Sequence, residues 1–158
     1  MKSTSCFLLL FAAWCIGITV VFAEYYTSAQ NNTYFIEIKN KYNWHNSETQ
    51  CKLKNLTLLS IESAEKTQEI NELINEHFKE TEKPLLYIGA NDLAEEGRFR
   101  WTSNAHEFNY TNWAESEPNN YKNHENCVHI GLYNDGTWND VDCSTKFGYI
   151  CEKKEEQK

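Results

Sequence analysis

Three acceptor-rich groups punctuate the C-terminal half of the chain: Glu117-Pro118-Asn119, Glu125-Asn126-Cys127 and Trp138-Asn139-Asp140. A hard cation such as calcium takes about six to eight oxygens from carboxylates, amide carbonyls and waters. Glu117, Asn119, Glu125, Asn139 and Asp140 offer such oxygens, and three of these side chains are anionic, so a bound calcium ion leaves the site slightly negative. Pro118 bears on the geometry. The side chains flanking it must aim at one ion, and a tight turn with a cis peptide bond achieves that, since only an X–Pro bond takes the cis form cheaply. Thiolate metals are excluded, because the cysteines are expected to pair with one another. Acidic and amide residues also crowd ordinary solvated loops. The set is lifted above that background by the cysteines that close its last two groups, Cys127 and Cys143. On spacing alone, calcium and a plain polar loop both stay open.

Other chemistries find little support. No Gly-x-Ser-x-Gly elbow and no His-Glu-x-x-His helix occurs. Glu117 and Glu125 as a general acid and its partner would need one protonated carboxyl, whereas a bound calcium ion keeps both ionised. An enzyme is not expected. His45, His77, His106, His124 and His129 show no paired zinc spacing, and most are read as surface residues. His124 adjoins Glu125, so its protonation in acid would oppose a cation there, as would protonation of the carboxylates themselves.

The elements that must position these groups divide by texture. Tyr34-Phe35-Ile36-Glu37-Ile38 is aromatic and β-branched and predicts a strand. Asn43 caps an expected helix over 44–54 that contains Cys51. A second helix starts near Ser63, with Ile70, Leu73, Ile74 and Phe78 forming one apolar face and a solvated face opposite. Strands are expected at 85–90, 99–101, 127–130, 137–141 and 149–151, with an acidic turn from Asp92 to Gly97 and another at Asn134-Asp135-Gly136. Residues 102–126 lack a periodic apolar pattern, and a loop that long in a compact domain implies binding or ligand-held structure. Helices first and short strands after give an α+β pattern.

The ends and the composition set the compartment. Lys2, an apolar stretch from Cys6 to Phe22 and Val21-Phe22-Ala23 read as a secretory signal peptide over 1–23, cleaved before Glu24. No later segment is apolar enough for a membrane span. The formal charge is −8, and the leader holds one of the 15 basic residues and none of the acidic ones, so the mature chain is more acidic still. Nucleic acid is therefore not expected as its partner. The leader also holds Cys6 and Cys15, leaving four cysteines for two disulfides in an oxidising compartment. Four cysteines permit three connectivities. Sequons at Asn31, Asn55 and Asn109 are read as glycan acceptors on exposed loops of a secreted chain.

Cys51, Cys127, Cys143 and Cys151, with the Glu-Pro-Asn and Trp-Asn-Asp triplets among them, resemble the carbohydrate-recognition domain of C-type lectins. Tyr87-Ile88-Gly89-Ala90 is similar to that family's buried Trp-Ile-Gly-Leu segment, with Tyr and Ala as departures. The resemblance spans 34–153, preceded by a segment 24–33 and followed by a charged tail 154–158. It implies a C-type lectin-like fold of two helices, short antiparallel strands and a long calcium-binding loop region, with nested disulfides Cys51–Cys151 and Cys127–Cys143. The extra N-terminal cysteine pair of the family's longer form is missing. The resemblance also implies that Glu117, Asn119, Glu125, Asn139 and Asp140 hold calcium and the sugar together, with Tyr121 packing on a sugar face or shaping the loop. An auxiliary calcium site maps to Asp92, Glu96, Asn120, Glu125 and Asn126, where two positions often held by Asp are Asn. Glu-Pro-Asn goes with mannose-type ligands (mannose, fucose, N-acetylglucosamine), and the implied role is recognition of microbial or cell-surface glycans, as in innate immunity. The alternatives are a galactose-type lectin, or a protein-binding module with structural or no calcium. One shallow site binds weakly, so oligomers would supply avidity.

Overall fold

The computed structural model describes residues 24–79, 83–131 and 136–153. The expected signal peptide, the charged tail and the Asn134-Asp135 part of the expected turn lie outside these residues.

Strands β1 (Glu24–Thr27) and β2 (Thr33–Tyr42) form a hairpin, followed by α1 (Trp44–Lys52), β3 (Leu56–Leu58) and α2 (Ala64–His77). The second half carries β4 (Leu86–Asn91), β5 (Arg100–Trp101), β6 (Cys127–Ile130), β7 (Trp138–Val141) and β8 (Phe147–Lys153). The sheet runs β1-β2-β8-β4-β6-β7, with β3 on β8 and β5 on β4. It is mixed, which corrects the expectation of antiparallel strands alone: β4 and β8 run parallel, pairing Leu86 with Gly148 and Tyr87 with Tyr149. Residues 24–33, read as a segment preceding the domain, supply a strand to its sheet.

Local chemistry accounts for both helices. Asn43 and Ser63 have extended backbones, and their side chains accept from the N–H groups of Asn46 and Lys66. Each such cap is worth about 1 kcal/mol. Helix α1 stops at Lys52, two residues short of the expected end. Helix α2 buries Ile70, Leu73 and Ile74 as its spacing requires, each worth about 1.5–3 kcal/mol.

The core lies on both faces of the sheet. On one, α2 packs with Leu86, Ile88, Val128, Ile130, Trp101 and Trp138. On the other, α1 contributes Trp44 and Cys51 against Phe35, Tyr87, Tyr149 and Cys151. The indole of Trp44 donates to the Ile88 carbonyl across 2.9 Å. All of Tyr87-Ile88-Gly89-Ala90 is buried. A Cβ on Gly89 would lie 2.9 Å from the Leu58 carbonyl oxygen, a close approach that only glycine permits. The disulfides join Cys51 to Cys151 and Cys127 to Cys143, the nested pairing that the resemblance implies.

The long polar segment after β5 is less free than its composition suggests. Phe108, Tyr110 and Trp113 pack on the core, their ring centroids 5.3, 5.9 and 5.6 Å from that of Trp138. The main chain joins in as well: Trp138 N–H donates to the Asn112 carbonyl and Ala114 N–H to the Trp138 carbonyl. Aromatic anchors about two residues apart, set among polar ones, carried no helical or strand period, so the pattern did not announce them.

Candidate functional site

Trp138 sets the site's register. Its stitches to 112–114 bring the following turn alongside β7, where Asp140 is buried one residue past Asn139. The Glu117–Pro118 bond in that turn is cis, as the requirement for converging side chains anticipated. Beyond it, Asn120, Lys122 and Asn123 all take left-handed conformations, at φ of 42°, 58° and 57°. Such backbone costs energy for residues other than glycine and concentrates at functional sites.

Three expected ligands meet directly. Asp140 Oδ1 accepts from Asn119 N–H at 3.1 Å and Oδ2 from Asn120 N–H at 2.8 Å. The Asn119 amide donates to Glu117 Oε1 at 2.9 Å. Glu125 joins through the same loop, its Oε2 accepting from Tyr121 N–H at 2.9 Å and its own N–H donating to Asn120 Oδ1 at 3.1 Å. Asn139 adjoins the group by sequence, while its amide nitrogen lies 3.1 Å from His129 Nε2. Tyr121 stands 62% exposed in a short 3-10 turn (Tyr121–Asn123), on an open groove of about 440 Å³ shared with Lys122, His124, Glu125 and Asp142.

The electrostatics are lopsided. Glu117 Oε2 is buried with no hydrogen-bond partner. Burial pushes the Glu117 carboxyl up, the adjoining Asp140 carboxylate and Glu125 push it further, and the Asn119 amide pulls it down; it ends at about 7. Glu125 is also raised, by burial and by Asp140 and Asp142, against the pull of the Tyr121 N–H. Carboxylates raise one another in this way when no opposite charge is near, and a cation among them reverses the shift. Among the described residues no three His, Cys, Asp or Glu side chains close around a point as a finished metal cage. The oxygens are capped by main-chain N–H groups instead, and a carboxylate with about four lone-pair positions keeps capacity beyond those bonds. An orphaned oxygen, two glutamates raised by burial and by neighbouring carboxylates, and an all-oxygen donor set fit a hard divalent cation.

The proposed auxiliary residues are only partly gathered. Asp92 is buried, accepts from Gly97 N–H at 2.7 Å through Oδ2, and leaves Oδ1 without a partner. Burial chiefly raises its carboxyl; Glu96 and Asp140 add to this and the Gly97 N–H opposes it. Its N–H donates to the Asn126 carbonyl at 3.1 Å. Glu96 is exposed. The three sequon residues, Asn31, Asn55 and Asn109, are exposed as well.

Residues 40–153 match the family described as Lectin C-type domain. This chain belongs to the C-type lectin family. It is 38% identical over 128 residues to "Lectin subunit alpha" of Sarcophaga peregrina, an alignment covering 75% of this chain and 44% of that one. It is also 35% identical over 121 residues to "C-type lectin mosGCTL-7" of Aedes aegypti, covering 73% of this chain and 79% of that one. The chain thus spans less than half of the first relative's length and most of the second's. Among solved structures, the cow C-type carbohydrate-recognition domain of CD23 superposes with a TM-score of 0.65 at 28% identity, covering 80% of this chain and 90% of that one. Membership implies carbohydrate binding, and the family is one of binding proteins, not enzymes. No helix among the described residues is long and apolar enough to cross a membrane.

One residue behind this lectin's site was not singled out by the sequence reading. His45, His77, His106 and His124 are exposed, in keeping with the expectation for most of the histidines, whereas His129 is 2% exposed. The signal was available: it stands in Cys127-Val128-His129-Ile130, a strand closed by a cysteine whose other residues are all apolar, which is the pattern of a strand buried on both faces.

Proposed function

We propose that this chain is a secreted, calcium-dependent lectin of mannose-type specificity that reads microbial or cell-surface glycans. The observation that carries this reading is the Glu117–Asp140 pair: two adjoining acids, one oxygen of which has no partner, on a loop built around a cis Glu-Pro bond. Glu117, Asn119, Glu125, Asn139 and Asp140 would hold the ion, and calcium there supplies a hard positive centre for two neighbouring sugar hydroxyls. The chain's own side chains do the rest. Carboxylates of Glu117 and Glu125 accept hydroxyl protons, while the amides of Asn119 and Asn139 donate to hydroxyl oxygens, so donors and acceptors alternate as the sugar requires. Exposed Tyr121 offers an aromatic wall to a sugar face. The partnerless Asp92 Oδ1 supports a weaker, auxiliary calcium position with Glu96, Asn120, Glu125 and Asn126. In the CD23 comparison the crystallised domain was studied in the presence of a GlcNAc2Man3 oligosaccharide, a ligand of the same sugar class.

Retention on mannan resin tests the reading. It is expected in millimolar calcium, with release by chelator and by free mannose. Retention that persists in excess chelator, or elution by galactose alone, refutes it. A glycan array with and without calcium then separates mannose-type from galactose-type ligands, and tryptophan fluorescence that ignores calcium would favour a protein-binding module.

A further inference from the structure

A buried imidazole stands against the amide of one proposed ligand. His129 on β6 lies directly opposite Asn139 on β7, and its ring packs on Phe147 with centroids 4.8 Å apart. Its two nitrogens meet different partners: Nδ1 lies 3.3 Å from the Ile130 carbonyl oxygen and Nε2 lies 3.1 Å from Asn139 Nδ2. A carbonyl oxygen only accepts, so Nδ1 carries the ring proton. The ring is 2% exposed and its two nitrogens face neutral groups, the Ile130 carbonyl and the Asn139 amide, so it carries the single proton on Nδ1 and Nε2 keeps its lone pair. Nε2 therefore accepts, and the Asn139 amide must present its N–H side to the histidine. The opposite arrangement would put the proton on Nε2, turn the amide oxygen toward it and set a bare Nδ1 lone pair against the Ile130 carbonyl.

We infer that His129 is a positioning residue: by accepting from Asn139 Nδ2 it fixes the amide's rotation and keeps Oδ1 for a cation. An unrestrained asparagine flips at little cost, and a flip exchanges an oxygen ligand for an N–H₂ group that a cation repels. Partners behind a ligand commonly set metal affinity in this way. The inference rests on the calcium reading above and goes beyond it in assigning a role to a residue that touches neither ion nor sugar.

The test is calcium titration calorimetry on the full chain with His129→Leu and His129→Gln, together with 15N NMR of the wild-type imidazole. The leucine variant, which accepts nothing, is expected to bind calcium about 10–100-fold more weakly, with an unchanged melting temperature in chelator. Glutamine, whose Oε1 accepts from near the Nε2 position, is expected to restore most of that loss. The NMR spectrum is expected to show a proton on Nδ1 and none on Nε2. Wild-type calcium affinity in His129→Leu, or a proton on Nε2, overturns the role. Should the leucine variant fail to fold, the tautomer and the glutamine variant decide. A wild-type protein that takes up no calcium overturns this role and the calcium reading together, whereas calcium uptake unaltered by His129→Leu sinks the positioning role alone.

Discussion

Two carboxylate clusters in this molecule are built in opposite ways. In the N-terminal half, Glu69 of α2 reaches the β1–β2 hairpin, where its Oε1 accepts from Ser28 at 2.6 Å and Asn32 at 2.8 Å in the turn and from Tyr34 of β2 at 2.9 Å. Lys66 adds a positive charge 3.9 Å from Oε2. Burial by itself would raise the Glu69 carboxyl, but these three hydrogen bonds and Lys66 outweigh it and hold it below its ordinary value of 4.5. In the C-terminal half, Glu117 and Asp140 are acids facing acids, and Glu117 is driven upward. One cluster has all the donors a buried charge requires; the other is short of positive charge. The first welds α2 to the hairpin. The second is left for something from outside the chain to complete.

That contrast can be broken by experiment. Chelator has the largest expected effect: mannan binding disappears while the Glu69 cluster, and hence the folded signal, persists. Glu117→Gln is expected to weaken calcium by at least the roughly 10–100-fold that loss of a mere outer partner costs, measured by calorimetry. Replacing Cys127 and Cys143 together by alanine removes a bond across 16 positions, about 3 kcal/mol of stability in denaturant titrations, and loosens the calcium loops beside it. Glu69→Gln is expected to cost about 2 kcal/mol, since hydrogen bonds to a charged group are lost, with no change in sugar specificity.

The pH dependence separates the clusters further. A carboxyl whose folded pKa lies below its unfolded value stabilises the fold fully above the unfolded value and stops doing so as the pH drops through the folded one. For Glu69 the stabilisation is therefore complete above about pH 5 and fades in acid, beginning near the ordinary value of 4.5. Wild type should lose melting temperature on acidification below that point more steeply than Glu69→Gln. Glu117 has the reverse sign. Its raised carboxyl works against the calcium-free fold at neutral pH, so Glu117→Gln in chelator is expected to melt a few degrees higher, about 1 kcal/mol. A lower melting temperature there would mean that the two clusters are alike.

Much of this was legible in the residues. The Asn43 cap, the start of α2 near Ser63 and the apolar face of α2 depend on local spacing, which a sequence displays directly, while the burial of Tyr87-Ile88-Gly89-Ala90 was implied by the family resemblance. Strand β3 was missed because three residues, Leu56–Leu58, are too few to show a period, and they pair with β8 far along the chain. The β1 strand was missed because it needs β2 as its template. His129 was not told apart from the exposed histidines because burial of one imidazole depends on what packs over it, here Phe147.

By itself the sequence determined the kinds of oxygen available, the acid excess, the turn at Pro118 and, with the family resemblance, the nested disulfides, because these are matters of residue type and order. Only the tertiary structure decided which donors cap which acids. Ser28 and Asn32 reach Glu69 across some forty positions, and Asn119 and Asn120 reach Asp140 across about twenty. The reason is physical: a carboxylate's charge state follows from the dipoles and charges within a few ångströms of it, and folding alone sets those distances.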